Sequence, residues 1–425
     1  MKTIVKDHLF LKSKYIPSHK IKQSQINHHS IMTSSPDYQP NIFSGKIAAP
    51  AVEKNNLKTI IGGGTRLASL DFYRGLVMVL LMLEASGLYE YARELSNPGS
   101  FLHSLAIEFD HATWHGLHFW DLIQPAFMFI AGTAMAFSLT KQTAKGSTWT
   151  QQFKHALRRS WWLFFWGVFD YAVRGNHLSF ELWDVLTQLS FTMLVAFLIF
   201  RWKPGYQILL SVGLLILTEC LYRFINIPGF DQPFTDQHNF GNYIDVILMN
   251  KINPGGWVAI NCIPTAAHTI WGAVAGKWLL TRTGNNKIKP IIIFGIITLI
   301  AGYALDFTGI TPIIKRIATS SFTLASGGWC LLALAFLYYW IDVLGHKKFL
   351  SFFTIVGMNS IFIYLFFEIV VHRWLFDYSN TIVNGVIAPT GISEGAIMII
   401  SALVLFMVQW YLCYWLYKKK IFFKV

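Results

Sequence analysis

Apolar residues along the chain collect into ten runs, at 70–88, 119–140, 160–173, 182–200, 206–222, 258–280, 288–305, 322–341, 354–371 and 396–417. A helix rises about 1.5 Å per residue, so roughly 18–22 apolar residues cross a hydrocarbon core of about 30 Å. The run at 160–173 is short, and a helix there is expected to begin earlier, in the more polar stretch before it. The pattern predicts an all-α fold: a polytopic transmembrane helix bundle of about ten spans.

Polar positions between the runs carry a second signal. Lys and Arg number 27 in residues 1–66, in alternate loops near 141–159, 201–203, 277–289 and 347–348, and in the tail 418–424. The opposite set of loops holds 7, and Arg74 completes the 35. Cytoplasmic loops carry the excess of Lys and Arg, so both termini are expected in the cytoplasm and residues 90–115 on the far side. The net charge of +13 is thereby a topology signal, and a nucleic-acid partner gains no support from it.

Composition agrees with the pattern. Of 425 residues, 54% are hydrophobic and 13% charged, with mean hydropathy +0.43. A soluble domain sits near 45–50% apolar and about 25% charged, and a single soluble core stops growing at roughly 250–300 residues. Cys220, Cys262, Cys330 and Cys413 all fall in apolar runs and read as small packing residues rather than a disulfide framework or metal motif. Residues 1–66 lack the apolar segment of a cleavable signal peptide. They are rich in Lys, Ser, Asn and His, hold Pro17, Pro36, Pro40 and Pro50, and end near Gly62-Gly63-Gly64. They are expected to form a mostly disordered basic cytoplasmic tail, leaving 67–425 as the membrane domain. No internal repeat of the transporter kind is visible.

An ionisable side chain at mid-membrane costs about 2.5–3.5 kcal/mol on insertion scales, so each needs a reason. Asp71 and Arg74 stand at i,i+3 at the start of the first run; the pair anchors the helix end, or the guanidinium faces a phosphorylated ligand arriving from the cytoplasm. Glu84 lies ten residues on, roughly 15 Å up the axis, where a carboxylate is expected to line a cavity. His111, His115 and His118 at i, i+4, i+7 would share a face if helical. They read as a metal site, as an interfacial belt with Trp114 and Trp120, or as the home of one general base tuned by a carboxylate such as Asp110. Spacing alone does not choose. Pro125 and Gly132 in the second run predict a kink or a close helix approach. Asp170, Asp184, Gln188, Glu219, His268, Asn359 and Glu368 add buried polarity, either as site residues or as interhelical glue.

Several stretches, taken together and in order, resemble the heparan-α-glucosaminide N-acetyltransferase family. They are Ser69-Leu-Asp-Phe-Tyr-Arg-Gly-Leu76, His111-Ala-Thr-Trp-His-Gly-Leu117 and Asp121-Leu-Ile-Gln-Pro-Ala-Phe-Met-Phe-Ile-Ala-Gly-Thr133. Gly241-Asn-Tyr-Ile-Asp245, Asn253-Pro-Gly-Gly256, Gly272-Ala-Val-Ala-Gly276, Lys315-Arg-Ile-Ala-Thr-Ser-Ser-Phe322 and Gly357-Met-Asn-Ser-Ile361 follow. The resemblance implies an integral-membrane acetyltransferase moving acetyl from cytoplasmic acetyl-CoA to an amino or hydroxyl group of a sugar across the bilayer. It puts the catalytic histidine at His111, the end that the loop charges place away from the cytoplasm. Glu84 stands where the family commonly has Asn, and Thr187-Gln188 where it often has Gln-Arg.

With that reading, His111 takes a proton from the acceptor or carries acetyl transiently. Glu84 or Asp110 would orient its imidazole, and Arg74, Arg158 and Arg159 would hold the CoA phosphates. No metal is assigned. The expected location is a bacterial inner membrane, and a homodimer is left open. The alternative is a non-catalytic transporter or flippase for a glycan or other polar solute, with the same charges lining a pathway.

Overall fold

The structure, a computed structural model, describes residues 67–172 and 178–423, so the tail and its glycine joint lie outside the described residues. Helices and the loops between them make up the described residues, and no strand occurs among them beyond an isolated bridge between His115 and Ile314. The helices are α1 (Ala68–Ala85), α2 (Leu88–Leu95), α3 (Phe101–Ile107), α4 (Ile123–Ala144), α5 (Trp149–Ala172), α6 (Val185–Leu198), α7 (Pro204–Phe224) and α8 (Phe240–Met249). After them come α9 (Cys262–Thr281), α10 (Lys289–Phe307), α11 (Ser320–Leu337), α12 (Leu350–Gly357), α13 (Ser360–Phe366), α14 (Phe376–Ile387) and α15 (Glu394–Lys418).

Helix underlies each of the ten apolar runs. Among the described residues, five segments are long and apolar enough to cross a membrane: Phe119–Ala144, Pro204–Phe224, Lys289–Phe307, Ser320–Val343 and Glu394–Lys418. A sixth follows if Leu350–Gly357 and Ser360–Thr390, bent by 73°, form one broken span. The other runs fall short for visible reasons. Helix α1 carries Asp71, Arg74 and Glu84, α6 has 14 residues, and α9 carries His268 and Lys277. The short run at 160–173 does begin earlier, at Trp149.

Burial sorts the helices. Helix α9 is buried from Pro264 to Leu280, so its polar groups meet protein rather than lipid, and His268 Nε2 lies 3.0 Å from Ser326 Oγ. Helices α7 and α10 expose Leu209, Ile216, Ile293, Ile297 and Ile300, which suits a lipid-facing rim. Trp271, Phe129, Met78, Met82 and Ile270 are among the fully buried side chains at the centre.

Small residues set the tightest contact. A Cβ placed on Gly132 of α4 would meet Thr269 O of α9 at 1.9 Å, and one on Gly272 would meet Phe129 O at 2.0 Å. The backbones touch there, the small-residue packing that membrane helices favour. Pro125 is corrected: it sits in the first turn of an unbroken helix, where a missing N–H and a fixed φ are tolerated. The close approach comes from Gly132 and needs no kink.

Several caps come from afar. Asp342 accepts hydrogen bonds from Ala68 N (3.2 Å) and Ser69 N (3.1 Å), closing the start of α1 from 274 and 273 residues downstream. Asp184 accepts from Leu186 N (2.6 Å) at the start of α6 and from the Tyr364 hydroxyl (2.8 Å). Gln188 accepts from Gln124 Nε2 at 2.6 Å. Asn359, at the bend between α12 and α13, bonds Ile421 O and Phe423 N. These residues are interhelical glue. Of the cysteines, Cys330 and Cys413 are buried in the core, Cys262 is half-buried and Cys220 is exposed.

Candidate active site

The stretch from His111 to His118, between α3 and α4, is not helical, so the face that the three histidines would share on a helix does not form. Gly116 has φ +119°, a backbone that a helix cannot continue through. The three imidazoles part company. His115 Nε2 lies 2.7 Å from Asp306 Oδ1, and His118 Nδ1 lies 3.0 Å from Asp110 O. His111 alone reaches a buried charged pair. No group of three or more His, Cys, Asp or Glu among the described residues could hold a metal ion.

Asp121 builds the corner that holds His111. It is the third residue of the short helical turn Phe119–Leu122 that leads into α4, where a carboxylate suits the unpaired N–H groups. Its Oδ2 accepts from Ala112 N (3.3 Å) and His118 N (3.0 Å), tying both ends of the loop to one side chain. Its Oδ1 lies 2.9 Å from His111 Nδ1. Lys315, from the loop between α10 and α11, places Nζ 3.0 Å from the same Nδ1 and 3.4 Å from Asp121 Oδ1. The side chains of Asp121 and Lys315 are 1% and 7% exposed, while His111 keeps 36%. The ammonium also lies 5.2 Å from the Trp257 ring centre, and His111 meets that ring edge-on at 5.8 Å. In the tautomer whose Nδ1–H donates to Asp121, Nε2 keeps its lone pair and is the nitrogen left to face a reactant, while the Lys315 ammonium, itself a donor, acts on the ring through its charge.

Charge follows geometry. Burial lowers the His111 pKa from its ordinary 6.5, Lys315 lowers it further, and Asp121 and Asp110 oppose the shift without reversing it. Burial pushes the Lys315 ammonium down to about 8 against the support of Asp121. At neutral pH the corner therefore holds a neutral imidazole, a carboxylate and an ammonium.

The other anticipated residues occupy different places. Asp110 reaches His111 through the backbone, accepting His111 N at 2.8 Å, and its carboxylate pairs with Arg93. The carboxylate on the imidazole ring is Asp121. Glu84, in the last turn of α1, interacts electrostatically with His372, Glu368, Asp110 and Lys315, which sets it beside the His111 corner without touching the ring. At the opposite end of α1, Arg74 lies 3.8 Å from Asp71 and feels the like charge of Arg159. Arg159 Nε is buried with no hydrogen-bond partner among the described residues. Arg158 is exposed on α5. Two of the three arginines are thus brought together, and Arg158 is not.

Asp121, Lys315 and Trp257 belong to the corner but were not anticipated as site residues. Asp121 had a local signal, an acid three residues after His118 at a helix start. Lys315 stands 204 residues from His111, and beside Arg316 in an otherwise apolar stretch it carries no spacing that links it to the histidine.

No family model matches the chain. Mouse heparan-alpha-glucosaminide N-acetyltransferase is 24% identical over 430 residues, covering 85% of this chain and 60% of that protein. The human protein of the same name is 23% identical over 431 residues with the same coverage. The chain thus spans about three-fifths of the length of the curated relatives it matches. These two matches make the chain a distant relative of the heparan-alpha-glucosaminide N-acetyltransferases.

Proposed function

We propose that this chain is an integral-membrane acetyltransferase that takes acetyl from cytoplasmic acetyl-CoA and gives it to an amino or hydroxyl group of a sugar on the far side. The reading includes ten crossings with both termini cytoplasmic, in a bacterial inner membrane. Its main support is the His111–Asp121 pair at one end of the bundle, with Nε2 left available. The arginines at the other end of α1 complement it. A buried Arg159 Nε without a partner, beside the like charge of Arg74, suits an anion such as a CoA phosphate, which guanidinium binds in a bidentate fashion.

The chemistry follows from the corner. As the acceptor nitrogen or oxygen attacks the thioester carbonyl, His111 Nε2 takes its proton. Asp121 holds the imidazole by Nδ1 and stabilises the imidazolium that forms. The carbon–sulfur bond breaks, and the proton on Nε2 passes to the departing CoA thiolate, restoring neutral imidazole.

The test is incubation of the purified protein with acetyl-labelled acetyl-CoA and a panel of amino sugars. Labelled acetyl-sugar, lost in His111→Ala, is the expected result. No acetylated product with any acceptor, combined with sugar uptake into vesicles carrying the protein, would overturn the proposal in favour of a transporter.

A further inference from the structure

Lys315 has no part in the proton transfer just described, yet it is the most deeply placed cation in the corner. It arrives from the loop Thr308–Thr319, between α10 and α11, and its ammonium sits on the Nδ1 side of His111, away from the reacting nitrogen. The contacts that hold it there are to Nδ1 and to Asp121 Oδ1, not to Nε2. What it can do is set charge. Asp121 alone, 2.9 Å from Nδ1 and 1% exposed, would favour an imidazolium, because a carboxylate at that distance stabilises the protonated ring. An imidazolium has no lone pair for the acceptor's proton.

We propose that Lys315 is a positioning residue that offsets the Asp121 carboxylate and keeps the His111 imidazole neutral, so that Nε2 is a free base before the acceptor arrives. The inference rests on the acetyltransferase reading for its purpose, but the charge relation itself does not. All the charged groups around the ring enter the balance. Asp121 comes from the start of α4, and Asp110, on the same loop as His111, is held by Arg93 of α2. Lys315 and the neighbouring Arg316 come from the α10–α11 loop, and Glu84 at the end of α1 acts on Lys315. His118 faces the Asp110 carbonyl rather than the imidazole of His111. Lys315 is the cation that touches both Asp121 Oδ1 and His111 Nδ1, at 3.4 and 3.0 Å. The depressed His111 pKa, to which burial and Lys315 both contribute, agrees with this assignment.

Removing the ammonium leaves Asp121 uncompensated, so the His111 midpoint should rise by at least about one pH unit, since a charge within a few ångströms moves a pKa by about 1–3. The experiment follows ring carbon and nitrogen resonances of labelled histidine in the detergent-solubilised protein, with His111 assigned by its loss in His111→Gln. Wild type is expected to titrate below 6.5. Lys315→Met and Lys315→Gln should each titrate higher, while Lys315→Arg, which keeps the charge, should stay near wild type. In parallel, Lys315→Met should lose acetyl transfer at pH 6 and regain it as the pH rises, a pattern that mere misfolding would not produce. An unchanged His111 midpoint in either folded, uncharged variant would overturn the proposal. If the resonance moves as expected but no variant or wild type transfers acetyl, the acetyltransferase reading fails and the role of Lys315 in holding His111 neutral stands.

Discussion

At the scale of single residues the account makes His111 the group on which transfer depends. Loss of a general base costs about 10²–10⁴-fold in rate, so His111→Ala should lower acetyl transfer by that order while acetyl-CoA still stabilises the variant in thermal unfolding. His115→Ala and His118→Ala should be much milder, because those rings bind Asp306 and the Asp110 carbonyl instead; equal severity in all three would speak for a shared metal. The pH dependence has a definite sign. Transfer needs neutral imidazole, whose pKa lies below 6.5, so the rate should hold through neutrality and fall only in acid. Lys315 loses its charge near pH 8, where His111 is already neutral, so that loss should add no alkaline decline. At the end of α1 that the proposal gives to the donor, a charge-assisted phosphate contact contributes about 1.5–3 kcal/mol, so Arg74→Ala should weaken acetyl-CoA binding about tenfold or more. Unchanged affinity in a folded variant would return Asp71 and Arg74 to a helix-end ion pair. The motif singles out His111 as a candidate. Asp121 and Lys315 were not read as its partners, because a contact across 204 residues leaves no spacing to read.

At the scale of elements, the apolar runs located the helices well because period and length are local properties. The details that departed from expectation depend on what each helix meets. Proline at 125 reads as a kink from composition, but a helix start two residues earlier makes it harmless. The His111–His118 segment has helical spacing, but Gly116 and the Asp121 cap hold it as a loop. The α4–α9 contact gives a stability prediction. Any side chain at Gly132 collides with the Thr269 carbonyl, a backbone atom that cannot rotate away. Gly132→Val should destabilise the fold by about 3 kcal/mol or more, and Gly132→Ala should also be harmful. The loss should appear as a lower midpoint of thermal unfolding in detergent; a Gly132→Val protein as stable as wild type would show that α4 and α9 do not touch there.

At the scale of the whole molecule, the proposal assigns the two ends of α1 to two compartments. In that proposal the charge asymmetry of 27 against 7 orients the chain, placing Arg74 and Arg159 at the donor side and His111 at the acceptor side. Cysteine accessibility should place residues 90–115 opposite Lys418-Lys419-Lys420, and finding them on one side would defeat this orientation. The most direct measurement uses sealed proteoliposomes with an amino sugar trapped inside and labelled acetyl-CoA added outside. Labelled acetyl-sugar accumulating inside, absent with His111→Ala, is what the account predicts. Product formed only when donor and acceptor share one compartment would contradict it.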